Sequence, residues 1–335
     1  MVLLLLLLIP VTTEATKKKN IVSSRKPLPN EGVFYFWCMK MPPPLKPGDR
    51  VAVVNPAKRL QSDMEAGLGL LKAWGLEPML GKHVNKEHQL FAGEDAERLE
   101  DLQWALEDPE VKAIIIARGG YGTTRILDQL NLDNFLKEPK WVCGFSDITT
   151  LLCRLDNEGV AAIHGPMVAS MGRNEDSDEY LRGLLFGQSL SYTVKGTKSN
   201  VLGQGQGELI GGNLTMICNS IGTSSEINTK NRILFLEEVG EYIYHLDRMM
   251  VHLLRAGKLG TLQGIVIGDF SSMKDHNDSF GMSTLDVLKS HFNHLGCPVA
   301  YGFPAGHEKK NYPMAFGVPA MLQVGAEKVR LDISQ

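Results

Sequence analysis

The segment Val111-Lys112-Ala113-Ile114-Ile115-Ile116-Ala117 is apolar at every position except Lys112. A run this short and continuous, bounded by Asp108-Pro109 and Gly119-Gly120, is the pattern of a strand buried on both faces. Strands of that kind belong to parallel sheets with helices on either side, and the neighbouring segments fit. Residues 50–54, 141–145 and 160–163 read as further short strands. Residues 61–74, 96–106, 123–130 and 148–155 read as helices, the second carrying Leu99, Leu102 and Leu106 on one face. Strands alternating with helices at this spacing imply βαβ units.

Residues 174–206 are polar and without clear periodicity, so the spacing predicts a linker there. Gly203, Gly205 and Gly207 read as a flexible turn leading into Gly211-Gly212-Asn213. Beyond it, helices are expected over 213–221, 244–255 and 284–295, with strands over 232–236, 264–267, 320–324 and 328–331. The fold class expected is α/β: an N-terminal parallel-sheet domain (42–173), the linker (174–206), and a C-terminal mixed α/β domain (207–335). The second domain is expected to carry a curved, barrel-like sheet, with the active site between the two domains. Residues 1–41 are set apart as a leader or non-native extension.

The chain has 335 residues and a formal net charge of -3, which gives no broad basic field to attract nucleic acid. Its 5 cysteines are widely spaced, with no Cys-x-x-Cys, as suits a reducing compartment. The leucine run near the N-terminus is too short to span a bilayer as a helix, and Lys17-Lys18-Lys19 follow it rather than precede it. It is therefore either an atypical export signal, placing the protein in the periplasm, or an extension outside the folded protein, with a cytoplasmic location. The second reading is preferred, and Met39 offers a natural start. No metal site is expected. His307-Glu308-Lys309-Lys310-Asn311 begins like a zinc-peptidase helix but has Asn311 where the second histidine belongs, and His291 with His294 lacks a third ligand.

Three segments carry candidate chemistry. Ser146, in Gly144-Phe145-Ser146-Asp147, stands between a strand and a helix, where a serine can project as a nucleophile or simply cap the helix. The Gly-x-Ser-x-Gly elbow is incomplete, because Ile148 takes its last position. Glu237, Glu238 and Glu241 close an apolar strand, and any of them could orient a histidine or sit solvated in a loop. His307 lies in a glycine- and proline-rich loop and could shuttle a proton. Gly119-Gly120-Tyr121-Gly122 could be a turn, a phosphate cradle or an oxyanion hole.

Together these segments resemble the LD-carboxypeptidase family of serine peptidases, which includes the muramoyltetrapeptide and microcin-immunity enzymes. The resemblance runs from Pro44-Leu45-Lys46-Pro47-Gly48-Asp49-Arg50-Val51, through Ala117-Arg118-Gly119-Gly120-Tyr121-Gly122 and the Ser146 loop. It continues through Gly211-Gly212-Asn213-Leu214, Leu236-Glu237-Glu238-Val239-Gly240-Glu241, Asp247-Arg248-Met249 and Gly306-His307. It implies Ser146 as nucleophile, His307 as base and Glu237 as the residue orienting it, with the N–H groups of Gly120 and Asp147 as oxyanion hole. Gly119, Tyr121, Arg118 and Arg248 are expected to bind substrate, the two arginines as candidates for a terminal carboxylate. The implied reaction releases a C-terminal D-amino acid, D-alanine in the usual case, from a murein tetrapeptide during cell-wall recycling. The resemblance implies no cofactor and a homodimer. Two alternatives remain: self-immunity cleavage of a peptide–nucleotide antibiotic, and a non-catalytic protein binding a small ligand.

Overall fold

The computed structural model describes residues 39–334. The expectations for the leucine run, the lysine triplet and Cys38 fall outside these residues. In the first half, strands β1 (Arg50–Val54), β2 (Glu77–Leu80), β3 (Val111–Ile116), β4 (Trp141–Gly144) and β5 (Ala162–His164) alternate with helices α1 (Glu65–Ala73), α2 (Asp95–Glu107), α3 (Asp133–Lys137) and α4 (Thr149–Asn157). In the second half, α5 (Glu175–Leu185), β6 (Leu190–Lys195), β7 (Gly203–Asn213), α6 (Leu214–Ser220), β8 (Ile233–Val239) and α7 (Ile243–Arg255) come first. They are followed by β9 (Gly264–Ser271), α8 (Thr284–Phe292), β10 (Val299–Tyr301), β11 (Met314–Phe316), β12 (Pro319–Val324) and β13 (Lys328–Ile333).

The first sheet has the order β11-β5-β4-β3-β1-β2 and is parallel from β2 to β5. Ile114, Ile115 and Ile116 of its central strand are fully buried, as the continuous apolar run requires. Each such side chain contributes about 1.5–3 kcal/mol of hydrophobic stabilisation. The sheet's last strand comes from the far end of the chain: β11 pairs antiparallel with β5, matching Ala315 to Ile163. The second sheet, β10-β9-β8-β7-β12-β13-β6, is parallel across β7 to β10 and antiparallel across the rest.

Several expectations change. The second sheet is open, with β10 and β6 as its edges, and does not close into a barrel. The segment 174–206, expected as a linker, contains α5 and β6. The Asn174 side chain caps α5 by accepting the Ser177 N–H, and β6 forms a full ladder with β13. The alternation of Leu190, Tyr192 and Val194 with polar residues was the available sign of this edge strand. Gly203, Gly205 and Gly207 lie in β7, where the ladder to β12 overrides glycine's weak strand preference. The helix expected over 123–130 is two short 3-10 turns, Thr123–Arg125 and Leu127–Gln129.

Buried polar contacts join the halves. The backbone N–H of Asn213, at the end of β7, donates to Thr149 Oγ1 of α4 at 3.0 Å. Arg232, just before β8, binds Asp156 of α4 and, at 2.7 Å, Glu208 of β7.

Candidate active site

Residues after β1, β3 and β4 line one cavity together with His307, whose ring rests on Glu237 of β8. Open α/β sheets present their sites at the carboxyl ends of their strands, where loops converge. Ser146 follows β4 after one residue, Phe145. Its φ is 63°, in the left-handed region that a non-glycine residue enters only at a cost, and a 3-10 turn, Ser146–Ile148, leads from it into α4. The side chain caps neither the turn nor α4. Its Oγ instead meets His307 Nε2 at 3.0 Å.

His307 is held from behind. Its Nδ1 lies 2.7 Å from Glu237 Oε2, and Glu237 is fully buried. The strand explains why the first glutamate of the pair is the one in contact. Successive side chains on β8 point to opposite faces. Glu238 therefore faces away, accepting Asn213 Nδ2 at 2.9 Å and the Thr215 N–H at 2.7 Å, where it fixes the start of α6. Glu241 pairs with His245 on α7. Gly306, just before the histidine, has φ 142°, and a Cβ there would come within 2.9 Å of Asp269 Cβ and 3.3 Å of Glu237 Cβ. Only glycine lets this loop approach the carboxylates so closely.

Burial alone would lower the His307 pKa. The hydrogen bond and charge of Glu237, with the charges of Glu238 and Asp269, outweigh it and raise the pKa above the ordinary imidazole value. Asp269 is itself pushed up to about 6, chiefly by burial. Phe145 packs edge-on against the His307 ring at 4.9 Å between centroids and helps fix its plane. Beneath lies His164, wholly buried among Phe145, Phe235 and Phe316, its pKa lowered to about 4 by burial, so it is neutral.

The remaining predicted residues divide. Gly119 lies against the serine loop, for a Cβ there would stand 3.3 Å from both Phe145 O and Ser146 Cβ. Gly119, Gly120 and Arg118 line the same cavity as Ser146 and His307, which has a volume of about 430 Å³. Asp147 is buried, and its side chain points away from the cavity. Its Oδ2 accepts the Thr123 N–H at 2.9 Å, tying the loop after β4 to the glycine loop after β3. Tyr121 is half exposed, with its ring against Phe91. Arg248 is not brought to the site. It lies on α7 over the Tyr244 ring and lines a separate cavity between α6 and α7. Sequence position could not reveal that α7 turns this face away from Ser146.

Two residues at or beside the site escaped the sequence reading. Arg173 lines the Ser146 cavity from the segment before α5. Arg98, fully buried on α2, donates to Pro56 O and, at 2.9 Å, to Gly122 O, clamping the loops after β1 and β3 together. An arginine beside the apolar stripe of α2 was the available sign. Among the described residues there is no group of three side chains placed to hold a metal ion.

Family models match both halves of the chain. The LD-carboxypeptidase N-terminal domain matches residues 51–165, and the LD-carboxypeptidase C-terminal domain matches residues 206–322. The chain belongs to the LD-carboxypeptidase family. It is a carboxypeptidase, a hydrolase acting at the C-terminal end of a peptide. The murein tetrapeptide carboxypeptidase of Pseudomonas aeruginosa is 31% identical, over 82% of this chain and 93% of its own length. The probable murein peptide carboxypeptidase of Bacillus subtilis is 34% identical, over 86% and 92%. The crystal structure of muramoyltetrapeptide carboxypeptidase from Oxalobacter formigenes superposes with a TM-score of 0.78 at 30% identity, covering 85% of this chain and 99% of that one. The microcin C7 self-immunity protein, in its wild-type apo state, shares the LD-carboxypeptidase fold with a TM-score of 0.77 at 19% identity, over 88% and 98%. At that identity the likeness concerns the fold alone.

Proposed function

We propose that this carboxypeptidase removes the C-terminal D-amino acid, D-alanine in the first instance, from a murein tetrapeptide through a Ser146–His307–Glu237 acyl-enzyme mechanism. The observation that carries the reading is the continuous hydrogen-bonded chain from Ser146 Oγ through the His307 ring to Glu237, opening on a cavity. The names of the murein carboxypeptidases that resemble the chain support the substrate.

His307 Nε2 takes the Ser146 proton as Oγ bonds to the carbonyl carbon of the penultimate residue. Glu237 fixes the ring with Nδ1 as donor and stabilises the imidazolium that forms. The oxyanion is received by the N–H groups of Gly120 and Asp147, with Gly119 beside them, and the start of α4 lends its positive dipole end. As the C–N bond breaks, His307 returns the proton to the departing amine of D-alanine. Water, deprotonated by the same nitrogen, then attacks the ester, releasing the tripeptide and restoring Ser146.

We place the enzyme in the cytoplasm, in cell-wall recycling. In support, Cys143, Cys153, Cys218 and Cys297 are free thiols. Among the described residues no helix is long and apolar enough to cross a membrane. A homodimer is the assembly expected, and sedimentation tests it. The decisive experiment is mass spectrometry of murein tetrapeptide incubated with the full chain and with Ser146→Ala. Loss of one D-alanine with the unmodified protein only supports the reading. An intact tetrapeptide beside folded protein overturns it.

A further inference from the structure

Two arginines enter the Ser146 cavity from different walls, Arg118 from the loop after β3 and Arg173 from the segment before α5. No aspartate or glutamate lines that cavity. Arg118 is oriented by donating to Arg59 O and to Gln61 Oε1, each at 2.7 Å. Arg173 makes only a long 3.5 Å donation to Ala169 O. Among the described residues neither guanidinium has a carboxylate within ion-pairing distance. The Arg118 pKa is lowered, first by burial and then by the charge of Arg173, so the two cations feel each other. Two like charges held together without a counter-ion cost free energy, and an arriving anion relieves it. Ser146 and the glycine loop stand in the same cavity, so the anion belongs beside the bond being cut.

We infer that Arg118 and Arg173 form a two-pronged receptor for the substrate's C-terminal carboxylate, and that Arg173 makes the enzyme an exopeptidase. This rests on the peptidase reading above. A carboxylate one residue beyond the scissile carbonyl would meet Arg118, oriented by its two hydrogen bonds, and Arg173, held only by its long donation to Ala169 O. Charge-assisted hydrogen bonds of guanidinium to carboxylate are the strong ones, and a peptide continuing past that point brings a neutral amide instead. A murein tetrapeptide also carries a carboxylate on its diaminopimelate side chain. The inference commits to the terminal one.

The test compares kcat/KM of the full chain, Arg173→Ala and Arg173→Lys on three peptides: the tetrapeptide acid, its C-terminal amide, and the acid with L-lysine replacing diaminopimelate. The unmodified enzyme is expected to prefer the acid over the amide by roughly 10- to 100-fold, the worth of one hydrogen bond to a charged group. Arg173→Ala is expected to reduce that ratio toward one, Arg173→Lys to keep part of it, and the L-lysine peptide to suffer the same loss as the acid. Equal turnover of acid and amide by the unmodified enzyme leaves the peptidase reading standing and overturns the receptor. So does a loss in Arg173→Ala that is equal on acid and amide, or one confined to the diaminopimelate peptide. Turnover of none of the three overturns the peptidase reading, and the receptor with it.

Discussion

Ser146 and His307 stand 161 positions apart in the chain, yet Ser146 Oγ and His307 Nε2 are 3.0 Å apart. The first stands in the turn after β4 of the parallel sheet and the second in a loop of the other half, so the site exists only when the two halves are docked. The Glu237 contact on the far side of the ring spans a further 70 positions. Each link can be tested separately.

Removing the nucleophile separates chemistry from stability. Ser146→Ala and Ser146→Gly are both expected to lower kcat by about 10⁴- to 10⁶-fold, as loss of a triad member does. Their stabilities should diverge. Alanine inherits the strained φ of 63°, while glycine relaxes it, so Ser146→Gly should be more stable than Ser146→Ala by about 1 kcal/mol. Urea unfolding of the pair checks this, and equal midpoints would mean the turn stores no strain.

The pH profile should report His307. Its folded pKa is raised, and only the neutral ring can accept the serine proton, so kcat/KM should rise with pH along a limb centred above the ordinary imidazole value of 6.5. In Glu237→Gln the negative charge that raises the pKa disappears and any remaining hydrogen bond is to a neutral carbonyl, while burial remains, so the limb should move to lower pH as the rate falls. Asp269→Asn should shift it the same way by less. For stability the sign follows from the raised pKa. His307 stabilises the fold fully below its unfolded pKa and loses that contribution as pH rises through its folded value. A limb that stays put in Glu237→Gln would detach Glu237 from His307.

The glycine loop should be intolerant of a side chain. Gly120 has φ 117°, and a Cβ would meet Lys58 Cβ at 2.7 Å. Gly120→Ala should cost about 1–3 kcal/mol in backbone strain. It should also lower kcat by roughly 10²-fold by displacing one oxyanion donor. Single-turnover kinetics on an ester substrate would resolve the second effect. An unchanged acylation rate would remove Gly120 from the oxyanion hole.

Arg232 is expected to hold the halves together. Arg232→Met leaves Asp156, only 3% exposed, without its cation, a loss of about 3–5 kcal/mol. The carboxyl's folded pKa, already raised by burial, would rise further. The folded state would then bind more protons than the unfolded one, and the destabilisation should be greater at pH 8 than at pH 5. Thermal unfolding at the two pH values checks the sign, and Asp156→Asn in the same background should restore part of the loss.

Much of this was legible in the chain. The run 111–117 could only be a buried strand, because so continuous an apolar segment has no solvated face. The loops bearing Ser146, Glu237 and His307 each stood where an apolar strand gave way to polar or glycine-rich residues, and that local signal does not depend on the fold. Family resemblance then ordered them. Local pattern failed where partners were distant. Strand β6 shows only three apolar positions, Leu190, Tyr192 and Val194, in a polar segment, and its ladder with the distant β13 fixes it. Gly203, Gly205 and Gly207 of β7 look like a turn in sequence, and pairing with β12 fixes them as strand.

What the sequence determined by itself is therefore the inventory: a parallel α/β core, a serine, a glutamate, a histidine and a glycine loop, each set at an element's end by short-range pattern. Tertiary structure decided which glutamate faces the histidine, that Arg248 lies on another face, and that Arg173 joins Arg118 at the cavity. Periodicity tells which side of its own element a residue occupies. Which elements meet on that side depends on packing between segments more than a hundred residues apart, and no local pattern encodes that.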